Sequence, residues 1–131
     1  YTSVILSEFE PTDGTNSFVS ASVTGTRQLI SLNDDLMSIN NDEYIAAVQL
    51  ETAVRRVSTD GTIKAVYKAA TGDIVDLKSG DTRVIDHLDY RTKVFIADKN
   101  PKTNGQWQLS ALVDSAAGGS TNNGIGIEVV S

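Results

Sequence analysis

The sequence predicts an all-β chain that folds as an antiparallel β-sandwich, either immunoglobulin-like or jelly-roll-like. Thr, Ser, Asn, Gly and Asp interrupt the chain about every ten residues, a spacing typical of short strands in sandwiches. The segments between them are rich in Val, Ile, Thr and Tyr, which favour strands. The chain has 131 residues, enough to bury a core, and we expect residues 1–131 to form a single β-rich domain.

Each predicted strand is a β-prone run between turn-forming residues. In the run TKVFIAD and the residues before it, Arg91 and Lys93 alternate with Thr92 and Val94, the two-residue period of a half-buried strand. The predicted strands, in chain order, are Thr2–Phe9, Ser17–Thr24, Arg27–Leu32, Thr62–Lys68, Asp73–Leu77, Thr82–Asp86, Tyr90–Ala97, Gln106–Val113 and Gly124–Val130.

The segment between residues 41 and 57 fits two structures. As a helix it would begin at Asn41, with two acids favourably placed at its positive end. As a strand it would place Val48 and Leu50 on one face, with polar residues between them on the other. The local pattern slightly favours one short helix near residues 42–56, whereas the surrounding β-rich segments favour a strand.

Glycines mark several of the predicted turns. Gly80, in the phrase SGD, is expected to supply the turn between two strands, because glycine adopts backbone conformations that other residues disfavour. The tetrapeptide TDGT occurs twice, and its Asp13-Gly14 and Asp60-Gly61 pairs predict two tight hairpin turns. The residues that match around the two copies are mostly common turn residues, which favours turns over an internal repeat.

Both ends of the chain are strand-like. The stretch SAAGGSTNNG, Ser115–Gly124, predicts a flexible loop or tether before a terminal strand. A terminal strand on a tether could add to the sheet edge of a neighbouring subunit. Alternatively, both terminal strands could pair within their own domain.

Charge and composition exclude several classes of function. The net charge is −6, and residues 1–60 contain nine acids and three bases, whereas residues 61–131 contain eight of each. An acidic half disfavours binding to a nucleic-acid backbone. No run approaches the ~18 apolar residues of a membrane span. The absence of cysteine excludes disulfides, thiolate nucleophiles and cysteine-ligated zinc.

No catalytic, cofactor-binding or metal-ligating residue is assigned from the sequence, and we predict that the protein is not an enzyme. His87 is the only histidine and lies near Asp86 and Asp89, but such close sequence neighbours do not orient an imidazole as a catalytic triad requires. The acid-rich segments Asn33–Asp35 and Asn40–Glu43 could chelate calcium together, or could form solvated turns and a helix cap. We expect no cofactor and no metal.

These observations favour a structural subunit of a self-assembling particle or filament. Such a subunit would be a virion capsid or decoration protein, or an extracellular appendage subunit, and would bind copies of itself and other structural proteins. The alternative is a carbohydrate-binding or adhesive β-sandwich module with Trp107 or the tyrosines as a stacking platform. Trp107 lies on the apolar face of a predicted strand, where we expect it to anchor the core instead. The expected location is the virion or the extracellular space.

Overall fold

The structure is a computed structural model that describes residues 20–30, 44–68, 73–99, 107 and 124–131. These residues contain strands and no helix, which confirms the all-β prediction. The strands are β1 Arg27–Ile30, β2 Val48–Val54, β3 Gly61–Lys68, β4 Ile74–Asp76, β5 Thr82–Ile85, β6 Arg91–Ala97 and β7 Gly124–Val129. All pairings are antiparallel, and the two sheets pack in two layers as a β-sandwich.

The larger layer is a five-stranded sheet built around β3. One edge of β3 pairs with β7, which in turn pairs with β1. The other edge pairs with β5 along Gly61–Lys64 and with β4 along Val66–Lys68. The backbone N–H of Leu77 donates to the carbonyl of Ala65 at 2.8 Å, which continues the pairing between these two stretches. Strands β4 and β5 therefore run in the same direction as one interrupted edge strand.

A turn at Lys78–Asp81 causes this interruption. The N–H of Asp81 donates to the carbonyl of Lys78 at 3.1 Å, and Gly80 has a φ of 78°, in the left-handed region that favours glycine. The prediction of a turn glycine at this position is confirmed. Arg83 holds the turn through hydrogen bonds to Asp81 of 2.8 and 3.2 Å, and its guanidinium lies 4.9 Å from the ring centre of Phe95 in the other sheet.

The smaller layer pairs β2 with β6, in register from Val48 opposite Ala97 to Val54 opposite Arg91. The possible short helix near residues 42–56 is therefore wrong where the structure describes this segment, since residues 48–54 are strand. The side chains of residues 48–54 alternate between the two faces of the sheet, which places Leu50 on the inner face beside Phe95. Burial on this face and a full ladder of backbone hydrogen bonds to β6 outweigh the helix propensity of the segment.

Trp107 lies at the centre of the core between the layers. It is fully buried, its ring packs edge-to-face on Tyr67 with centroids 4.9 Å apart, and its Nε1–H donates to the carbonyl of Ala97 at 3.3 Å. The predicted role of Trp107 as a core anchor is confirmed. The core consists of Val48, Leu50, Ile63, Ala65, Tyr67, Leu77, Ile85, Phe95, Ala97, Trp107 and Ile125.

Strand β7 lies inside the five-stranded sheet, with β1 on one side and β3 on the other. The predicted terminal strand is therefore confirmed, and it pairs within its own chain on both edges. At Gly126 the backbone of β1 comes so close that an added Cβ would overlap the carbonyl oxygen of Gln28. Because glycine has no Cβ, it is the residue that allows the backbones of β1 and β7 to lie this close together.

The hairpin predicted at Asp60-Gly61 is wrong. Residues 55–60 connect β2 in one sheet to β3 in the other, so the strands on either side do not pair. Gly61 is the first residue of β3 and lacks the positive φ that this turn type requires, whereas Gly25 and Gly80 have one.

The remaining predictions concern residues outside those that the structure describes. These are the turn at Asp13-Gly14, the strand Thr2–Phe9, the acid-rich segments Asn33–Asp35 and Asn40–Glu43, residues 17–19 of the strand Ser17–Thr24, the strand Gln106–Val113 except Trp107, and the loop or tether Ser115–Gly124 up to the first residue of β7. The strand predicted at Ser17–Thr24 is wrong over the described residues 20–24, which contain no strand, because the chain turns there and Thr26 donates a hydrogen bond to the carbonyl of Val23. Trp107 forms a single bridge with Ile45.

Candidate interaction surface

The connection between β5 and β6 contains the sole histidine of the chain. The Nδ1 of His87 contacts the carboxylate of Asp86, and Asp89 pairs with Arg91 at 3.2 Å. All four side chains lie at the surface. Asp89 therefore contacts an arginine instead of the imidazole, and the group is a solvated loop with one ion pair, Asp89–Arg91, and one contact between Asp86 and His87.

Acidic side chains elsewhere in the described residues do not converge. In the part of the chain that the structure describes, no three His, Cys, Asp or Glu residues come together in a group that could hold a metal ion. Several of the described acids, among them Asp60, Asp76, Asp81 and Glu128, pair with bases instead, most clearly on the outer face of the five-stranded sheet.

That outer face carries a row of ion pairs that links four strands. Glu128 on β7 accepts a hydrogen bond of 2.5 Å from Arg27 on β1 and lies 3.6 Å from the Nζ of Lys64 on β3. The same Nζ lies 2.9 Å from Asp76 on β4. The hydrogen bond to Asp76 is the main cause that raises the pKa of the Lys64 ammonium, burial opposes it, and the charges of Asp76 and Glu128 raise the pKa further. We refer to these residues as the outer ion-pair row.

One end of the sandwich presents aliphatic side chains to solvent. Val57 is 77% exposed, Val23 is 67% exposed and Leu88 is 56% exposed. Each lies in a connection at the end where β3 begins, β5 and β7 finish and β6 begins. We call this surface the aliphatic end and define it as residues 23–26, 55–60 and 86–91.

Backbone hydrogen bonds hold the segments of the aliphatic end in place. The N–H of Arg56 donates to the carbonyl of His87 at 2.8 Å, which joins the β2–β3 connection to the β5–β6 connection. The turn at residues 23–26 is closed by Thr26 donating to Val23 at 3.1 Å, and Gly25 donates to Val129 of β7 at 2.8 Å. The exposed side chains therefore project from loops that are tied to the sheet.

Two further aliphatic side chains are exposed singly on the outer faces of the sheets. Val84 on β5 is 55% exposed and lies opposite Thr62, and Ile96 on β6 is 50% exposed and lies opposite Gln49. Isolated exposed aliphatic residues with polar neighbours are common on protein surfaces. The aliphatic end differs because three such residues share one end of the molecule.

Sequence reasoning missed the aliphatic end. The signal that could have found it is a single large aliphatic residue inside an otherwise polar connection, as with Val57 in RRVSTDG and Leu88 in DHLDY. Leu88 lies in a predicted connection between strands, where nothing in the segment predicts burial or a surface role. Val57 lies at the end of the segment that fits a helix or a strand, and the helical interpretation places it on the apolar stripe.

The structure weakens the alternative hypothesis of a carbohydrate-binding module with Trp107 or the tyrosines as a stacking platform. Trp107 is buried and cannot stack on a ligand at the surface, and Tyr67 is buried against it. Tyr90 is only partly exposed and lies 5.7 Å from the guanidinium of Arg55. Tyr44 is the aromatic side chain that the described residues leave exposed.

Comparisons with protein-family models, with curated proteins and with solved structures found no significant match to this chain. Among the residues that the structure describes, no helix is long and apolar enough to span a membrane.

Proposed function

We propose that this protein is a structural subunit of a self-assembling particle or filament, acting through contacts between subunits. The particle would be a virion, with the chain as a capsid or decoration protein, or the filament would be an extracellular appendage. The observation that supports this proposal is the aliphatic end, which exposes three large apolar side chains on loops fixed by backbone hydrogen bonds. Apolar groups on an ordered surface favour association, because contact removes them from water.

The position of β7 favours assembly through surfaces over assembly by donation of the C-terminal strand. Strand β7 forms backbone hydrogen bonds with β1 and β3 of its own chain, and Ile125 contributes to the core. Donating this strand to a neighbour would break both ladders and open the core of the donor. The interrupted edge formed by β4 and β5 is also a poor template for strand addition, because short or broken edge strands resist pairing with other chains.

The carbohydrate-binding alternative has weaker support. It needs an exposed aromatic platform beside polar groups, and the buried Trp107 does not supply one. The described residues offer it Tyr44 alone.

The test of the proposed function is the mass of the purified full chain in solution. Sedimentation velocity should detect species larger than the 14.0 kDa monomer, with a share that rises with protein concentration. Electron microscopy of the concentrated sample should then show particles or filaments. A single monomeric species at every concentration would contradict the proposal.

A further inference from the structure

The dipeptide Asp60-Gly61 combines an exposed carboxyl group with an unhindered backbone nitrogen. The side chain of Asp60 is 58% exposed, and the residue is the last one before β3. Gly61 has no side chain to shield its backbone nitrogen, and even an added Cβ would meet only the carbonyl oxygen of Ser131, at 3.5 Å. The carboxyl carbon and the nitrogen of the next residue can therefore come together without a steric obstacle.

These two groups are the reactants for the conversion of aspartate to isoaspartate. The nitrogen of Gly61 forms a bond to Cγ of Asp60, loses its proton and expels a side-chain oxygen as water, which closes a five-membered succinimide ring. Water then opens the ring. Attack at Cγ restores aspartate, whereas attack at the main-chain carbonyl carbon breaks its bond to nitrogen and leaves isoaspartate. One water leaves and one water enters, so the step needs no oxidant, cofactor or partner, and the reactants are held together by the chain itself.

Exposure alone does not select Asp60. The side chains of Asp86 and Asp89 are comparably exposed, but the residues that follow them are His87 and Tyr90. A side chain on the following residue crowds the nitrogen that must attack. Among the aspartates that the structure describes, Asp60 is the one that a glycine follows, so the other two serve as internal controls.

Arg56 opposes this reaction because it holds the carboxyl group. Its Nη1 donates to Oδ1 of Asp60 at 2.7 Å, and its backbone N–H donates to the carbonyl of His87 at 2.8 Å, which anchors the arginine. Ring closure requires the carboxyl group to turn toward the nitrogen of Gly61 and to release an oxygen, and both motions break the charge-assisted hydrogen bond. Exposed pairs of this kind are weak, so the pair slows the reaction without preventing it.

The backbone at Gly61 opens more easily than the middle of the sheet. Gly61 is the first residue of β3 and lies opposite Ile85, the last residue of β5, so this is the terminal pair of their ladder. Terminal pairs open at a lower free energy than central ones. The nitrogen of Gly61 therefore becomes available while the rest of the sheet stays folded.

From these observations we infer that Asp60 is a site of spontaneous isoaspartate formation in the folded chain, and that Arg56 is the positioning residue that sets its rate. The product lengthens the main chain by one carbon atom directly before β3. The next residue, Thr62, is bonded to Ser131 at 3.1 Å and to Val130 at 2.7 Å, so the longer chain disturbs the contact between β3 and the end of β7. This inference goes beyond the proposed function and does not depend on it.

The experiment incubates the folded full chain at mildly acidic pH, below the onset of unfolding, in water enriched in the heavy isotope of oxygen. The chain is then returned to ordinary water and digested with trypsin. Peptide 57–64 contains Asp60 as its single acid, and peptide 84–91 contains Asp86 and Asp89. Chromatography separates the isoaspartyl form of each peptide, and mass spectrometry detects the solvent oxygen that ring opening inserts.

We expect isoaspartate with a solvent oxygen to accumulate in peptide 57–64, while peptide 84–91 stays unchanged. The same chain unfolded in urea is the positive control for detection. If peptide 57–64 reacts in urea and not in the folded chain, the fold blocks the reaction and the inference is wrong. Equal yields from the two peptides would also overturn it, because the assignment rests on the glycine.

Two arginine variants test the role of Arg56. R56M removes the pair with Asp60 and extends the tryptic peptide to 56–64, and its matched control R55M removes the neighbouring arginine, which contacts the ring of Tyr90. Circular dichroism should show that both fold as the native chain does. We expect the initial rate to rise about twofold to fivefold in R56M and to stay at the native value in R55M. An unchanged rate in R56M, or an equal rise in both variants, would contradict the role of Arg56.

A third variant tests the attacking nitrogen. G61A adds a side chain that crowds this nitrogen, and the yield of isoaspartate at Asp60 should fall to the low level of peptide 84–91. Formation at the native rate in folded G61A would show that the product does not arise through the nitrogen of residue 61, and would overturn the inference.

Discussion

The two faces of the five-stranded sheet are built from the same strands but are stabilised in different ways. On the inner face, Ile63, Tyr67 and Ile125 are buried against the other layer. On the outer face, Lys64 and Glu128 occupy the neighbouring positions of the same strands and form part of the outer ion-pair row. The comparison teaches that burial stabilises this sheet, whereas the ion pairs mainly hold neighbouring strands in register, since exposed pairs contribute little free energy.

The largest loss of stability is expected from a substitution on the inner face of the five-stranded sheet. Replacing Tyr67 with Ala should lower the free energy of unfolding by about 3–5 kcal/mol, because it opens a cavity beside Trp107 and removes the edge-to-face ring contact. Urea denaturation followed by far-ultraviolet circular dichroism measures the change. A loss below about 1 kcal/mol would mean that the inner face is not the main source of stability.

Substitution of a glycine on the outer face should cause an intermediate loss of stability. Replacing Gly126 with Ala should lower the free energy of unfolding by about 1–3 kcal/mol, because the new Cβ would overlap the carbonyl of Gln28 and push β1 away from β7.

The matched control for this change is Gly61→Ala in the same sheet. A Cβ at Gly61 would lie 3.5 Å from the carbonyl oxygen of Ser131, an ordinary contact, and the φ of Gly61 is not positive. The free energy of unfolding of the Gly61→Ala variant should stay close to that of the native chain, as measured by urea denaturation followed by circular dichroism. Equal losses in the two variants would show that general glycine effects, and not the approach of β1, explain the result.

The smallest loss of stability is expected from a substitution in the outer ion-pair row. Replacing Lys64 with Met removes both of its ion pairs and should cost about 0.2–1 kcal/mol at neutral pH and low salt, with a smaller difference at high salt. The comparison is made by urea denaturation of both proteins at two salt concentrations. A cost as large as that of Tyr67→Ala would remove the distinction between the two faces.

The contribution of Lys64 should also depend on pH. Its pKa in the folded chain is raised above the ordinary value of 10.5. A raised pKa means that the folded state holds the proton more tightly, so this stability is fully present below pH 10.5 and is lost as the pH rises through the folded pKa. The difference in unfolding free energy between the native chain and K64M should therefore shrink in strongly alkaline solution. Burial raises the pKa of Tyr67 as well, but that contribution is common to both proteins and cancels in the comparison.

Much of the fold could be predicted from local sequence. Strands β1, β3, β4, β5, β6 and β7 all lie within one or two residues of predicted segments, because each is a β-prone run between turn residues. Gly80 was identified as a turn residue for the same reason, since its conformation is a local property. Trp107 could be assigned to the core because alternation placed it on an apolar face.

Two predictions failed because their outcome depends on distant residues. The segment around Val48–Val54 carries helix-favouring residues as well as a strand pattern, and pairing with β6, more than thirty residues further along the chain, decided between them. The pair Asp60-Gly61 has the composition of a hairpin turn, but its flanking strands pair with other partners in different sheets. Neither partner can be identified from the local pattern.

The candidate interaction surface could not be predicted for a related reason. Val23, Val57 and Leu88 are far apart in the sequence, and their segments carry different predictions. Val23 lies in the predicted strand Ser17–Thr24, Val57 at the end of the segment that fits a helix or a strand, and Leu88 in a connection between strands. Only the packing of the two sheets brings their three connections to one end of the sandwich.

By itself, the sequence determined the class of fold, most of the strands, the turn at Gly80 and the burial of Trp107. These properties follow from the alternation of side chains and from backbone preferences that act over a few residues. The tertiary structure alone decided which strands pair, that β7 lies between β1 and β3, and which exposed residues share a surface. Those outcomes depend on contacts between residues distant in the chain, and the free energy of such contacts cannot be read from any one segment.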